Sequence, residues 1–251
     1  MWIQQTFRHC EGIGPRYEHL LHSQGITHWD QKNDLWSTSL GINLKQSIPL
    51  EIQKSTEAML HEDIQYFIDK LPPCHHWRVM KDFWDDICWI DIETTGLSPH
   101  KDHITIATTL YKGEMQHFIR KENLKELPQF LSGIKVFASF GGSHFDIPRI
   151  IEEFRLGFWK PPHLDLRWIA YHQGYTGGLK NIENSLGIPR PTGLQHTNGA
   201  EAVQLWHQHK YGSRSALKKL IAYSKADVDS LPIIAEKILN QYISTHASIK
   251  S

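Results

Sequence analysis

Residues 87–93 read ICWIDIE, a continuous β-prone run with two carboxylates set one pleat apart. Successive strand residues face opposite ways, so Asp91 and Glu93 share one face while Ile90 and Ile92 turn to the other. Two carboxylates at the end of a buried strand repel each other and lose hydration, and a cation is needed to make that tolerable. An all-oxygen ligand set suits a hard divalent ion such as Mg²⁺ or Mn²⁺. For this segment alone, a solvated strand terminus is the alternative. The TTGL that follows leads the chain off the strand, where Thr94, Thr95 and Gly96 offer hydroxyls or a close backbone approach to a substrate end.

The pattern around this run divides the chain. Before it, PRYEHLLHSQGI and EIQKSTEAMLHEDIQYFIDKL carry apolar residues at helical spacing, the second as a single run through Ile52, Met59, Ile64, Phe67, Ile68 and Leu71 that stops at Pro72 and Pro73. Residues 1–85 therefore read as a small helical region. After it, HITIATTLY and GEMQHFI follow at hairpin-like separations, which makes the first three strands antiparallel neighbours. A helix over 123–131, a short strand over 135–140 and a helix from Asp146 come next. Further helices are expected over 176–186, 199–210, 214–225 and 228–240, with Pro232 marking a kink or a new start. Residues 86–251 thus read as an α/β layered fold with a mixed sheet.

Composition narrows the partners. Lys and Arg number 27 against 27 Asp and Glu, so no global positive field draws the chain to nucleic acid, and any such affinity is local or metal-assisted. The three cysteines include no CxxC pair, which argues against a disulfide framework or a zinc knuckle. The first residues lack a basic cap followed by an apolar run, and no apolar stretch is long enough to span a bilayer. The expectation is a soluble cytoplasmic protein with no membrane partner.

Two more carboxylates stand where chemistry is plausible. Asp146 follows VFASF and the flexible pair Gly141 and Gly142, at a helix start that is also an ordinary N-cap position. Tyr223 and Asp227 in YSKAD lie four apart, hence on one helix face, a common pairing in itself.

Order and surroundings join these signals. The segment over 87–240 resembles the DEDD (DnaQ-like) exonucleases of the ribonuclease H-like superfamily, and within them the YprB-like subgroup. The first family motif stands as DIETTGL at 91–97, the second as GGSHFD at 141–146 and the third as YSKAD at 223–227, the tyrosine-containing form. HLDLRWIA at 163–170 and GGLKNIENSLGI at 177–188 resemble the family's linking segments. Two positions depart from the pattern: Gly141 stands where the family has Asn, and Ser224 where close relatives often have Asn after the tyrosine.

The resemblance implies a ribonuclease H-like three-layer fold and a two-metal-ion 3′-to-5′ exonuclease acting on the 3′ end of single-stranded DNA or RNA. It implies Asp91, Glu93, Asp146 and Asp227 as ligands of two Mg²⁺ or Mn²⁺ ions, with Tyr223 orienting the attacking water. Thr94, Gly96 and Leu97 would contact the terminal nucleotide. Lys180 and Arg190 are candidates for backbone phosphates, although most such residues are only solvated surface, and Asp165 reads as a supporting carboxylate or a cap. Near the N-terminus, EGIGPRYEHLLHSQGITHWD resembles half of a helix-hairpin-helix unit, whose glycine turn can cradle a phosphate. The alternatives are a non-catalytic nucleic-acid-binding or scaffold protein that keeps the fold, and a ribonuclease H-like endonuclease.

Overall fold

The computed structural model describes residues 1–98, 100–195 and 197–249. The chain divides into two compact units, Met1–Trp84 and Asp85–Ser251.

The first unit is helical. Gly14 precedes α1 (Pro15–Ser23), with Pro15 at its first position, where a missing N–H costs nothing. The apolar run expected as a single helix is divided between α2 (Ile42–Leu60) and α3 (Ile64–Lys70). The break has two local causes: Glu62 takes a left-handed φ of 52°, and the Asp63 side chain accepts the Tyr66 N–H at 3.0 Å, capping a new start. Leu71 is extended before Pro72, as a residue preceding proline must be, and α4 (His76–Asp82) follows. Phe7, Leu21, Trp29, Ile52, Phe67 and Trp77 form the interior. Trp29 is anchored there by donating its indole N–H to the Thr6 carbonyl at 2.8 Å.

The second unit is a mixed five-stranded sheet between helical layers. Strands β1 (Ile87–Thr94), β2 (Ile104–Tyr111), β3 (Glu114–Ile119), β4 (Val136–Ser139) and β5 (His163–Asp165) lie in the order β3-β2-β1-β4-β5. The first three form the expected antiparallel meander, while β4 and β5 add in parallel to the other edge of β1. Cys88, Ile90 and Ile92 of β1 pack with α5 (Leu127–Leu131) and Ile150 of α6 (Asp146–Phe154). On the opposite face Ile106 and Ile119 pack with α9 (Gly199–Lys210) and α10 (Arg214–Ile249). In chain order, α7 (Leu166–Tyr171) and α8 (Leu179–Ser185) come between β5 and α9.

Helix α8 starts later than the expected 176–186 because Gly177 has φ 104°, outside helical space, and Gly178 serves as the N-cap. The larger correction is α10. The helices expected over 214–225 and 228–240 are one, and it runs straight through Pro232. Val228, Leu231, Ala235, Ile238 and Tyr242 form a buried stripe at helical spacing, and their burial outweighs the one backbone hydrogen bond a proline forfeits. Among the described residues no helix is long and apolar enough to cross a membrane.

Candidate metal centre

Asp91 and Glu93 project from the β1 face opposite Ile90 and Ile92, toward α10. There Asp227 reaches down from the helix, and one oxygen from each of the three carboxylates lies within 4.8 Å of the others. Glu93 and Asp227 are buried and Asp91 is partly so. One Asp91 oxygen, Oδ2, is buried with no hydrogen-bond partner among the described residues. A buried anionic oxygen left unpartnered is costly unless something cationic meets it.

The electrostatics agree with the packing. Burial first, and then Asp227 and Glu93, push the Asp91 carboxyl well above its usual range. Burial and then Asp227 do the same to Glu93. Asp146 lies outside the three-residue cluster but is close enough to add to the repulsion on both. It is the first residue of α6 and does not cap it; its Oδ1 accepts the Ile92 N–H of β1 at 3.1 Å. Burial raises Asp146 to about 7, against the pull of that N–H.

Tyr223 is one turn before Asp227 on the same face, and its phenol hydrogen-bonds the Asp227 carboxylate. Burial and then Asp227 push the phenol far up, so it stays protonated. Ser224, next in sequence, is fully buried and donates to Thr108 Oγ1 at 2.7 Å. Thr108 is the β2 residue paired with Asp91, so this bond docks α10 onto the sheet beside the cluster.

The loop after β1 is tightly held. A register shift between Glu93 and Thr94 distorts the end of the strand, where Thr94 still pairs with Ile104. Thr94 Oγ1 donates to the Gly96 carbonyl at 2.7 Å, and Arg149 of α6 donates to the carbonyls of Ser98 and Gly96 at 2.8 and 3.0 Å. Gly96 owes its lack of a side chain to Asp102, whose carboxylate would lie 2.6 Å from a Cβ there. Leu97 is 83% exposed at the loop tip.

The second motif is built around a different carboxylate. Asp165 accepts the N–H groups of Gly141 at 2.7 Å and Ser143 at 3.1 Å, and also caps α7 through Arg167 N–H at 3.0 Å. Gly141 has φ 77°, the left-handed region that glycine and asparagine both enter readily. Gly142 is fixed by space, since a Cβ there would fall 1.9 Å from Ser139 Oγ.

Of the two cations expected at phosphates, Lys180 lies beside the cluster with its Nζ 5.6 Å from the Tyr223 ring centre. Arg190 does otherwise. Its Nε and Nη2 donate to Glu183 at 2.5 and 3.0 Å, and Nη2 also donates to Asp227 Oδ1 at 2.5 Å. Its side chain is 8% exposed, so it is bound inward as the counter-charge of two buried carboxylates. Glu183 is 1% exposed; it falls within the linking segment GGLKNIENSLGI, which by itself assigns it no role in the site. The available signal is an acid next to an apolar residue, Ile182, in an expected helix; its partner seven residues on is not readable from local spacing.

The RNase H superfamily model matches residues 88–239. No curated protein gives a significant match. Among solved structures, the family B DNA polymerase of the hyperthermophilic archaeon Pyrobaculum calidifontis superposes with TM-score 0.50 at 16% identity, over 61% of this chain and 24% of the polymerase. The chain thus spans about a quarter of that protein. A structure described as the apo form of the nuclease matches with TM-score 0.45 and 19% identity, over 64% of this chain and 74% of the other. NrnC of Brucella melitensis matches with TM-score 0.43 and 20% identity, over 67% of this chain and 78% of its own.

Proposed function

The chain belongs to the RNase H superfamily, and on that premise we propose that it is a metal-dependent nuclease, a 3′-to-5′ exonuclease of the tyrosine-containing DEDD branch acting on single-stranded DNA or RNA. The observation that carries the reading is the meeting of Asp91, Glu93 and Asp227, together with a buried Asp91 Oδ2 that has no hydrogen-bond partner among the described residues. Every donor there is an anionic oxygen, a set that fits Mg²⁺ or Mn²⁺. Asp91, Glu93 and Asp227 would hold one ion, and Asp146 would serve with Asp91 for a second. Bound there, the ions supply Lewis acidity, making water nucleophilic at neutral pH and stabilising the charge that gathers on the phosphate.

The chain's own groups do the rest. Tyr223 keeps its proton and therefore orients a water by donating or accepting a hydrogen bond; it is not a general base. Lys180 presents positive charge beside that ring, suited to a phosphate oxygen. Thr94, Gly96 and the exposed Leu97 form the loop against which a terminal nucleotide packs, held rigid by Arg149. Arg190 and Glu183 hold Asp227 in one position. Residues 86–251 form the catalytic domain in this reading, with residues 1–85 as a helical accessory region.

The test is incubation of end-labelled single-stranded DNA and RNA with the purified chain in Mn²⁺ or Mg²⁺. Laddering from the 3′ end that stops with chelator or with Asp146→Ala is expected. Cutting of a closed circular strand would instead favour an endonuclease.

One observation favours a second reading, a nucleic-acid-binding or scaffold protein: Arg190 already neutralises Asp227 in the way an ion would. A Mn²⁺ titration separates the two. Saturable binding that is lost in Asp91→Asn supports the nuclease, and no binding supports the scaffold.

A further inference from the structure

Helix α7 and the start of α8 enclose a trough of about 360 Å³, near the lower end of the range typical of ligand sites, roughly 300–1,000 Å³. Arg167, Trp168, Tyr171, Tyr175, Gly177 and Ile182 line it. Trp168 and Tyr171 are 41% and 54% exposed, and they stand edge to face with ring centres 6.0 Å apart. His144 continues the row, 6.3 Å from Trp168, and His172 continues it at the other end, 5.6 Å from Tyr171. Tyr175 is fixed in place because its hydroxyl accepts from Gln241 Nε2 at 2.6 Å. A contiguous row of half-exposed rings is poor as a core and good as a stacking surface.

Position and charge say what would stack there. Asp165 joins the trough to the metal centre, since one carboxylate caps α7 and also grips the loop that delivers Asp146. The other wall, α8, carries Lys180, whose ammonium lies against Tyr223. Arg167 is exposed on the trough's rim and makes no ion pair among the described residues. The surface therefore offers aromatic faces flanked by cations, the pairing that base and phosphate of a single strand require.

We propose that the trough lined by Trp168, Tyr171 and Tyr175 binds nucleobases of a single strand whose end lies at the carboxylates, with Arg167 meeting its backbone. This rests on the nucleic-acid part of the function proposed above. A duplex, whose base faces are already stacked, would not use this surface, so the trough selects unpaired strands longer than the nucleotide being removed.

The experiment measures fluorescence anisotropy of the full chain, in chelator so that nothing is cut, with labelled oligothymidylate and with an abasic strand of equal length. The wild type is expected to bind the thymidine strand roughly tenfold or more tightly than the abasic one. Trp168→Ala and Tyr171→Ala should each erase most of that preference and leave abasic binding nearly unchanged, while Trp168→Phe keeps it. Loss of both affinities together, or no change in either variant, would overturn the proposal. So would a wild type indifferent to the bases, or one that binds neither strand, which would point to an aromatic-binding protein partner. Adding Mn²⁺ to the same wild-type samples tests the nuclease separately: base preference without cutting leaves the trough standing and removes the nuclease, and cutting without base preference does the reverse.

Discussion

Residues 88, 90 and 92 leave β1 on one side and residues 91 and 93 on the other, and the two faces are stabilised by opposite physics. Cys88, Ile90 and Ile92 meet α5 and α6 in a dry apolar cluster, where removal from water is itself the stabilisation. Across the same strand, burial acts on Asp91 and Glu93 as a penalty. Arg190 offsets part of it through Asp227 and Lys180 adds a weaker opposing charge, but among the described residues no cation forms an ion pair with Asp91 or Glu93. One face thus contributes stability without function, and the other carries function at a cost in stability, as sites that concentrate like charge do.

Substitutions on the two faces should therefore move activity and stability in different directions. The largest expected effect is that of Asp91→Asn on catalysis. Losing a ligand forfeits several kcal/mol of charge stabilisation, hence roughly a thousandfold in rate. The metal-free variant should nonetheless melt higher than wild type, because a repelling charge is gone; a lower melting temperature would mean that Asp91 does not destabilise the folded chain. Arg190→Met should come next. It leaves Glu183 and Asp227 buried and unpaired, which costs about 3–5 kcal/mol of stability in chemical denaturation. Mn²⁺ should then raise its melting temperature more than that of wild type, since the ion takes over the missing charge, and an equal rise would mean that Arg190 and the ion do not share a role. On the apolar face, Ile90→Ala should cost about 2–5 kcal/mol through the cavity it leaves, with specific activity of the folded fraction retained.

The gentlest test is pH. In the folded, metal-free protein the raised carboxyls hold protons that the unfolded chain has released, so stability falls as pH rises through that window. For Asp146 the window runs from the ordinary aspartate value of 3.8 to about 7. Thermal melts of metal-free protein should decline from about pH 5 to about pH 8, and saturating Mn²⁺ should flatten the decline by replacing those protons. A melting temperature that does not change with pH would mean that the carboxylates are less crowded than their geometry indicates.

Much of this site is legible in the amino-acid sequence, and the reason is periodicity. A two-residue period places Asp91 and Glu93 together and Ile90 and Ile92 opposite; a four-residue step places Tyr223 over Asp227. The departure at Gly141 makes less difference than its loss of a side chain suggests, because the position demands a left-handed backbone that glycine supplies. Arg190 is not legible in this way, because a cation in a loop looks the same in sequence whether it faces a substrate's phosphate or a buried carboxylate.

Amino-acid order alone is enough for local features: which residues share a face, where the meander of β1 to β3 turns, and which side chains have the chemistry to hold a cation. Tertiary structure alone decided that three of the four carboxylates meet at one point while Asp146 binds the backbone of β1 instead. It also joined Arg190 to Asp227 across 37 residues and carried α10 unbroken through Pro232. The physical reason is that a backbone period sets directions along one element. Distances between elements, and whether a buried stripe outweighs a lost hydrogen bond, arise only when the layers pack.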